Sequence, residues 1–579
     1  MQHHGSVLAR LSPLSYARQE RRVRNIDSDE DSTGRIVQDI HVDLVRRYGR
    51  AIAHMRQLSQ RRHLGLALGA GISQSASLPN WNELIARLTH EIEARATVKG
   101  PDLGGETAPM QAQILQSRFR KFVESGTAFP AVAVNNRDRV IATEWRKLLR
   151  DSLYHTIADP DAVVNGHPYF KELAALAFNV PVVITYNFDD FLERALVQSS
   201  RRPHGTIGYY SAWGPHFVVQ QDRPVVYHPN GYIPFQAIDR YSEEVILTEE
   251  ALSNQIIDAA RGSFALLVNY FGTSPCLFIG FSLTDPGMRS VLRQATRASP
   301  GTIHYYIRYC SSSAPPLAER EEASQANFDL FNMVTLYLNG NEIKALLELL
   351  SMDDEDTLND VFVRAGVSQR YFYYIAGVVS VGKTSVISRL QGLEIVDEWL
   401  RPRDPLIAKP SDQLGTSERK RVDEWILEQV RLKNGRFARA GVGLHVMDRA
   451  PLDAFAFTPP DKYRDKAESI FETAYAGNSG SPQSLQKGHL VVLKGDPRVL
   501  QTRQIWRGRG GDDDYLEVQQ NALVEVYADD NGGKATFIET AGQDVESVTK
   551  QVLRAIHRDS YEEFDFDKRL TSFLSTVPS

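Results

Sequence analysis

Gly69-Ala70-Gly71-Ile72-Ser73 follows an apolar run, Leu64 to Leu68, and opens into a chain able to turn at once into a helix. A turn of this kind lets the main chain come close to a pyrophosphate, with the next helix N-terminus facing the negative charge. Far downstream, Thr185-Tyr186-Asn187-Phe188-Asp189-Asp190 sets an amide between a hydroxyl and two carboxylates, again just past an apolar strand. A third segment, Gly377-Val-Val-Ser-Val-Gly382-Lys383-Thr384, meets the whole pattern of a phosphate loop. Its backbone N–H groups would wrap phosphates, Lys383 would reach the β and γ oxygens, and Thr384 would hold Mg²⁺. Gly377, Gly382, Lys383, Thr384 and Ser385 are therefore the expected contacts for ATP or a dNTP with Mg²⁺. The bland alternative for this segment is a glycine loop with a surface lysine.

Elements must position these residues, and the sequence indicates which. Residues 1–38 carry arginine, serine and acidic residues without apolar periodicity and read as a disordered tail. A helix is predicted from about Ile40 to Gln60, ahead of the first strand. Trp81 to Ala94 reads as an amphipathic helix, and 98–112 as a loop. Strands are expected at Val180–Thr185, Pro224–His228, Cys276–Phe281 and Ile303–Tyr309. Strands alternating with helices predict an α/β fold, a Rossmann-like doubly wound parallel sheet with ligands at the strand C-ends. Asp353-Asp-Glu-Asp356 opens a connector, and a second α/β alternation begins at Tyr371 with the phosphate loop. The expected division is a tail 1–38, a first domain 39–352, a linker 353–370, a P-loop domain 371–560 and a tail 561–579.

The glycine turn and the Thr185–Asp190 segment together resemble the sirtuin (SIR2) family, whose matching segments bind NAD⁺ and cleave its nicotinamide–ribose bond. Leu78-Pro-Asn-Trp81 and Phe278-Ile-Gly-Phe-Ser-Leu-Thr-Asp285 extend the resemblance over roughly residues 60–350 and point to the bacterial, defence-associated branch. The resemblance implies NAD⁺ contacts at Gly69, Ala70, Gly71, Ser73, Asn230, Gly280, Ser282 and Asp285. It assigns Asn187 to the nicotinamide-ribose side and Asp189 to orienting the nicotinamide pocket. Cleavage passes through an oxocarbenium-like state that polar groups and a placed water can serve. The alternative for Asn187 is a helix cap, and Asp190 and Glu193 read as first-turn helix acids. Two departures stand out. Tyr186 replaces the family's glutamine, and Asn230 occupies the place of its catalytic histidine before Gly231. His228 lies two residues earlier on the same strand face and is the expected base, against the alternative of a histidine packed at a strand end.

The second half resembles deoxynucleoside and thymidylate kinases over about residues 371–560. By that resemblance Glu398 faces the acceptor hydroxyl, Asp448 stands near Mg²⁺, and Arg449 lies near the acceptor. Arg503, Arg507 and Arg509 resemble a lid closing on the transferred phosphoryl group, the alternative being a solvated basic helix face.

Composition narrows the functional classes. A chain of 579 residues exceeds what one core usually supports. Its net charge of -6 supplies no general basic field for nucleic acid, and no uninterrupted apolar run is long enough for a membrane span. With only two cysteines, Cys276 and Cys310, the four-thiolate zinc site of sirtuin deacylases is not expected, which speaks against protein deacylation. The combined expectation is a cytoplasmic NAD⁺ hydrolase of anti-phage abortive infection, gated by a kinase-like nucleotide sensor. The resemblance further implies small-molecule nucleotides as partners, a homo-oligomer and a phage-derived trigger, without membrane. The competing expectation is a nucleoside or nucleotide kinase with a SIR2-like ligand-binding domain.

Overall fold

The computed structural model describes residues 39–575, apart from 97–99, 101, 126–135, 200–207, 215, 221, 237–241, 243–244, 263, 312–314, 410–413, 476–483, 508–512 and 529–531. The tail expected over 1–38 lies outside the described residues. Seven strands form the first sheet: β1 (Gly65–Leu68), β2 (Val182–Thr185), β3 (Tyr210–Trp213), β4 (Val225–His228), β5 (Cys276–Ile279), β6 (His304–Tyr309) and β7 (Met333–Leu338). Their order is β3-β4-β2-β1-β5-β6-β7, and every described pairing is parallel. β1, β2, β4 and β5 are buried at every residue, because helices cover both faces. That double cover explains why they read as short unbroken apolar runs and not as alternating ones.

Of the helices between β1 and β2, Trp81–Ala96, Ala108–Glu124 and Arg137–Leu153 pack on one another. Phe119 and Trp145 meet between two of them, with ring centroids 5.7 Å apart. Helix Ala108–Glu124 begins inside the segment expected to be a loop; Pro109 in its first turn suits a helix start, where no N–H is needed.

The second sheet contains β8 (Arg370–Gly377), β9 (Glu394–Val396), β10 (Gly443–Asp448), β11 (His489–Lys494) and β12 (Thr536–Glu539), in the order β12-β11-β8-β10-β9 and again parallel. The expected α/β class with parallel sheets is thus present twice. Two boundaries differ from the sequence reading. The 353–370 connector contains the helix Glu355–Ala365, capped by Asp354 and closed by left-handed Gly366. The polar tail carries the helix Phe566–Ser575, whose approach buries Phe564, Phe566 and Leu570.

Asp39–Ser579 forms one compact unit. The helix Asp39–Gln60, present as predicted, is the clamp. It packs on the helices Gly340–Leu350 and Glu355–Ala365 and reaches the second sheet at β10. Gln57 accepts from Leu444 N (3.0 Å), His54 bonds the Gly392 carbonyl (3.0 Å), and Arg50 donates to the Tyr373 hydroxyl (3.1 Å). Where the halves meet, Gly301 packs so closely on the turn after the P-loop helix that a Cβ there would lie 1.5 Å from the Arg389 oxygen. No described helix is long and apolar enough to cross a membrane.

Candidate functional site

From β1 the chain winds to β2 on one side; from β5 it winds to β6 on the other. The crevice beyond the ends of β1 and β5 is therefore the switch point of the first sheet, where such folds place ligands. Gly69 leaves β1 there and Gly280 leaves β5. The turns touch: Gly69 N donates to Ile279 O (2.8 Å) and Gly71 N to Gly280 O (3.0 Å). A Cβ on Gly69 would sit 2.6 Å from the Gly280 oxygen, and Gly280 has φ +78°. These glycines are required by turn-on-turn packing as well as by any ligand.

The Thr185–Asp190 segment closes on the same turn. Asn187 Nδ2 donates to Gly69 O (3.1 Å), Ser73 Oγ donates to Asp189 Oδ2 (2.6 Å), and Phe191 N donates to Asp189 Oδ1 (3.1 Å). Burial pushes the Asp189 carboxyl up to about 6, against those two hydrogen bonds, which favour its charge. Tyr186, in the family's glutamine position, sets its ring edge-on to Phe281 at 5.7 Å and packs against the core. Ala70 is exposed at the start of the short helix Ala70–Ser75.

His228 lies beneath this segment, fully buried. Its Nδ1 meets the main-chain oxygen of Asn187 and its Nε2 meets Glu193 Oε1, both at 2.9 Å. Desolvation alone would lower the imidazole, yet Glu193, the Asn187 carbonyl and Asp189 hold it above its ordinary value. Glu193 also accepts from Ser211 Oγ (2.8 Å), and its Oε2 is buried without a partner. Asn230 takes a different route: its Oδ1 accepts from Gln255 Nε2 (3.0 Å). Asp285 caps the helix Pro286–Ala298 through Met288 N (2.7 Å), and Ser282 Oγ meets Thr284 Oγ1 (2.6 Å). The structure thus joins Gly69, Gly71, Ser73, Asn187, Asp189 and Gly280, with His228 behind them. Glu193 and Gln255 escaped the sequence reading; four residues after Asp189 on a helix, Glu193 looked like a first-turn acid.

In the second sheet the Gly377–Thr384 loop leaves β8 at its own switch point, between β10 and β11. Gly377 (φ +141°), Ser380 (+65°) and Gly382 (+110°) wind the loop back on itself. Lys383 Nζ donates to Gly377 O (2.6 Å) and Val378 O (3.0 Å). Burial, together with Arg449 nearby, lowers its ammonium to about 8. Asp448 ends β10 opposite Ile375 of β8, and Arg449 pairs with Glu398 and lies 3.9 Å from Asp453. Two further groups join that sequence reasoning did not single out: Lys433, donating to Asp448 O, and Tyr527, donating to Asp453 Oδ1 at 2.9 Å. Three buried polar atoms here have no hydrogen-bond partner among the described residues: Ser380 Oγ, Asp448 Oδ1 and Asp453 Oδ2, the last in an ion pair with Arg449. A magnesium-bound triphosphate would supply a cation for Asp448 Oδ1 and acceptors for the Ser380 hydroxyl, so those two groups fit it. Thr384 is exposed and Ser385 half-buried at the helix start. Arg503 Nη1 reaches Ser380 O (3.3 Å), Arg507 is exposed, and Arg509 lies outside the described residues.

No curated protein matches the chain. Among solved structures, a gluconokinase from Sinorhizobium meliloti 1021 aligns at 17% identity over 32% of this chain and 92% of its own, with a TM-score of 0.19. A family model described as a SIR2-like domain matches residues 181–331. That span runs from β2 to the end of the helix Leu317–Phe331 and includes Asn187, Asp189, His228, Asn230 and Gly280. Residues 181–331 are thus similar to a SIR2-like domain, and the sheet to which they contribute is the one whose switch point holds the glycine turn.

Proposed function

We propose that the chain is an NAD⁺ hydrolase that cleaves the nicotinamide–ribose bond at the switch point of the first sheet. In this reading it is an anti-phage abortive-infection effector, and the P-loop half is its nucleotide sensor for ATP or a dNTP with Mg²⁺. One observation carries the reading: Asn187 and Asp189 close by hydrogen bonds onto Gly69 and Ser73, more than a hundred residues away. With Nδ2 tied to Gly69, the Asn187 amide offers Oδ1 to a ribose hydroxyl or to the attacking water. His228 works through Asn187 as a positioning residue, holding its main-chain carbonyl from beneath. Asp189 orients the nicotinamide pocket, while Ser282 and Asp285 line the β5 side.

Incubating the full chain with NAD⁺, with and without ATP or each dNTP, tests this. Nicotinamide with ADP-ribose is the expected product pair, and a cyclic product would redirect the reading to cyclisation. No turnover under any nucleotide condition would sink it. Lys383→Ala is expected to change how NAD⁺ consumption responds to ATP and dNTPs; an unaltered response would show the halves to be uncoupled.

A second reading, nucleoside or nucleotide kinase, is favoured by the unpaired buried atoms around Lys383. The two activities occupy different sheets and are compatible.

A further inference from the structure

Three carboxylates surround Lys383, and each is held differently. Glu398 is tied to Arg449; burial works against its charge, yet Arg449, Lys383 and Lys433 hold it below the usual carboxylate range. Asp448 ends the strand beside the phosphate loop, the place suited to a phosphate-bound cation. Asp453 opens the short 3₁₀ turn Asp453–Phe457 and is fully buried. Its Oδ1 accepts from Tyr527, while its Oδ2 has no hydrogen bond and Arg449 stands 3.9 Å away. A carboxylate kept for architecture satisfies both oxygens, since leaving a buried acceptor unmade costs about 1–3 kcal/mol. Ser380 Oγ and Asp448 Oδ1 likewise have no hydrogen-bond partner among the described residues, and Asp448 and Asp453 both act electrostatically on Lys383.

We propose that Asp453 is the proton acceptor of a phosphoryl transfer, receiving the proton of a hydroxyl, from water or an alcohol, that attacks the γ-phosphorus of a bound nucleoside triphosphate. The new bond joins the attacking oxygen to the γ-phosphorus. The bond from that phosphorus to the β,γ-bridging oxygen breaks, and the diphosphate leaves with the electron pair. The hydroxyl proton passes to Asp453 Oδ2 and returns to solvent after product release. The inference rests on reading Gly377–Thr384 as a triphosphate site.

Two features support the assignment. Burial raises the Asp453 carboxyl to about 6, against Arg449, Lys383 and the Tyr527 bond, which makes it a stronger base that is still ionised at neutral pH. Lys433, buried and lowered to about 8, donates to the Asp448 main-chain oxygen and sets a second ammonium among the same carboxylates that act on Lys383.

The test separates binding from turnover. The full chain and its Asp453→Asn variant are titrated with a fluorescent ATP analogue plus Mg²⁺. Each is then assayed with ATP, once with water alone for phosphate release and once with nucleosides and nucleoside monophosphates for phosphorylated product. The variant is expected to bind within about threefold of the wild type and to turn over at least about 100-fold more slowly. A variant as fast as the wild type overturns the proposal, as does a wild type that binds ATP yet turns none over in either arm. A wild type that binds no ATP removes the triphosphate site itself, a distinguishable failure. Tyr527→Phe guards against a folding artefact. It deletes a hydrogen bond that favours the ionised carboxylate, so the acid limb of the rate profile should move to higher pH, whereas an architectural Asp453 leaves that limb in place.

Discussion

Asp189→Asn gives a quantitative test of how the first site is built. Asp189 bonds Ser73 and Phe191 N, yet burial raises its carboxyl from 3.8 to about 6. The sign follows from linkage: a carboxyl raised in the folded state contributes stability below about 3.8 and loses it as pH rises through about 6. At about pH 7.5 both folded and unfolded forms are ionised, and the displacement of roughly two pKa units costs about 3 kcal/mol. At about pH 5 the unfolded chain is mostly ionised and the folded one mostly is not, so the cost is about 1.6 kcal/mol. Asparagine has no such titration, and whatever it loses in hydrogen bonding to Ser73 is the same at both pH values. The variant should therefore gain about 1.4 kcal/mol on the wild type between about pH 5 and about pH 7.5, read by urea unfolding of both proteins. A difference between the two proteins that does not change with pH would refute the claim that Asp189 is a destabilised, buried anion. The direction also matters. Removing the charge is expected to stabilise the fold at neutral pH while harming NAD⁺ cleavage, the usual signature of a group retained for chemistry.

Asn187→Ala should abolish NAD⁺ consumption with little loss of stability; turnover at the wild-type rate in a chromatographic nicotinamide assay would remove Asn187 from the site. His228→Phe leaves Glu193 as an unpaired buried charge and should destabilise by about 3 kcal/mol or more; a melt like that of the wild type would free His228 for a direct chemical role. That pair's contribution is full below about 6.5 and fades as pH climbs through the raised folded value of His228. Gly301→Ala drives a methyl into the Arg389 oxygen and should cost about 1–3 kcal/mol. Limited proteolysis would then cut near the seam between the halves, and an unchanged digestion pattern would show that the contact yields without consequence.

The sequence made the local chemistry legible and the pairings illegible. Gly69–Ser73, Thr185–Asp190 and Gly377–Thr384 announce themselves because backbone geometry dictates glycine and apolar strands precede them. The helix Asp39–Gln60 was equally readable from its periodicity. The helix Glu355–Ala365 hides in the sequence because its acids read as a connector, although Asp354 at the cap and Glu355 and Asp356 in the first turn are helix-starting signals. The edge strand Tyr210–Trp213 is only four residues long and half exposed, too little for period or burial to show. The His228–Glu193 bond joins residues 35 apart, and nothing in either neighbourhood declares the other. Asp453 reaches Lys383, and Lys433 reaches Asp448, only through the order of the second sheet, which is a property of winding and not of any motif.

The clamp formed by Asp39–Gln60 also bears on how the chain is made. Gln57 receives its hydrogen bond from Leu444, 387 residues later. At about 5–20 residues per second, the ribosome takes roughly 20 to 80 s to deliver that partner. The first sheet's strands are complete by Leu338, so over the last hundred or so of those residues, roughly 5 to 20 s, the helix has the first sheet to pack on but not the second. A nascent NAD⁺ site would thus be assembled before the half proposed to govern it exists. Synthesis itself, and not only the finished fold, then sets a window in which the proposed hydrolase would have to be kept quiet, and slow codons or a chaperone bound near Gln57 would lengthen or cover it.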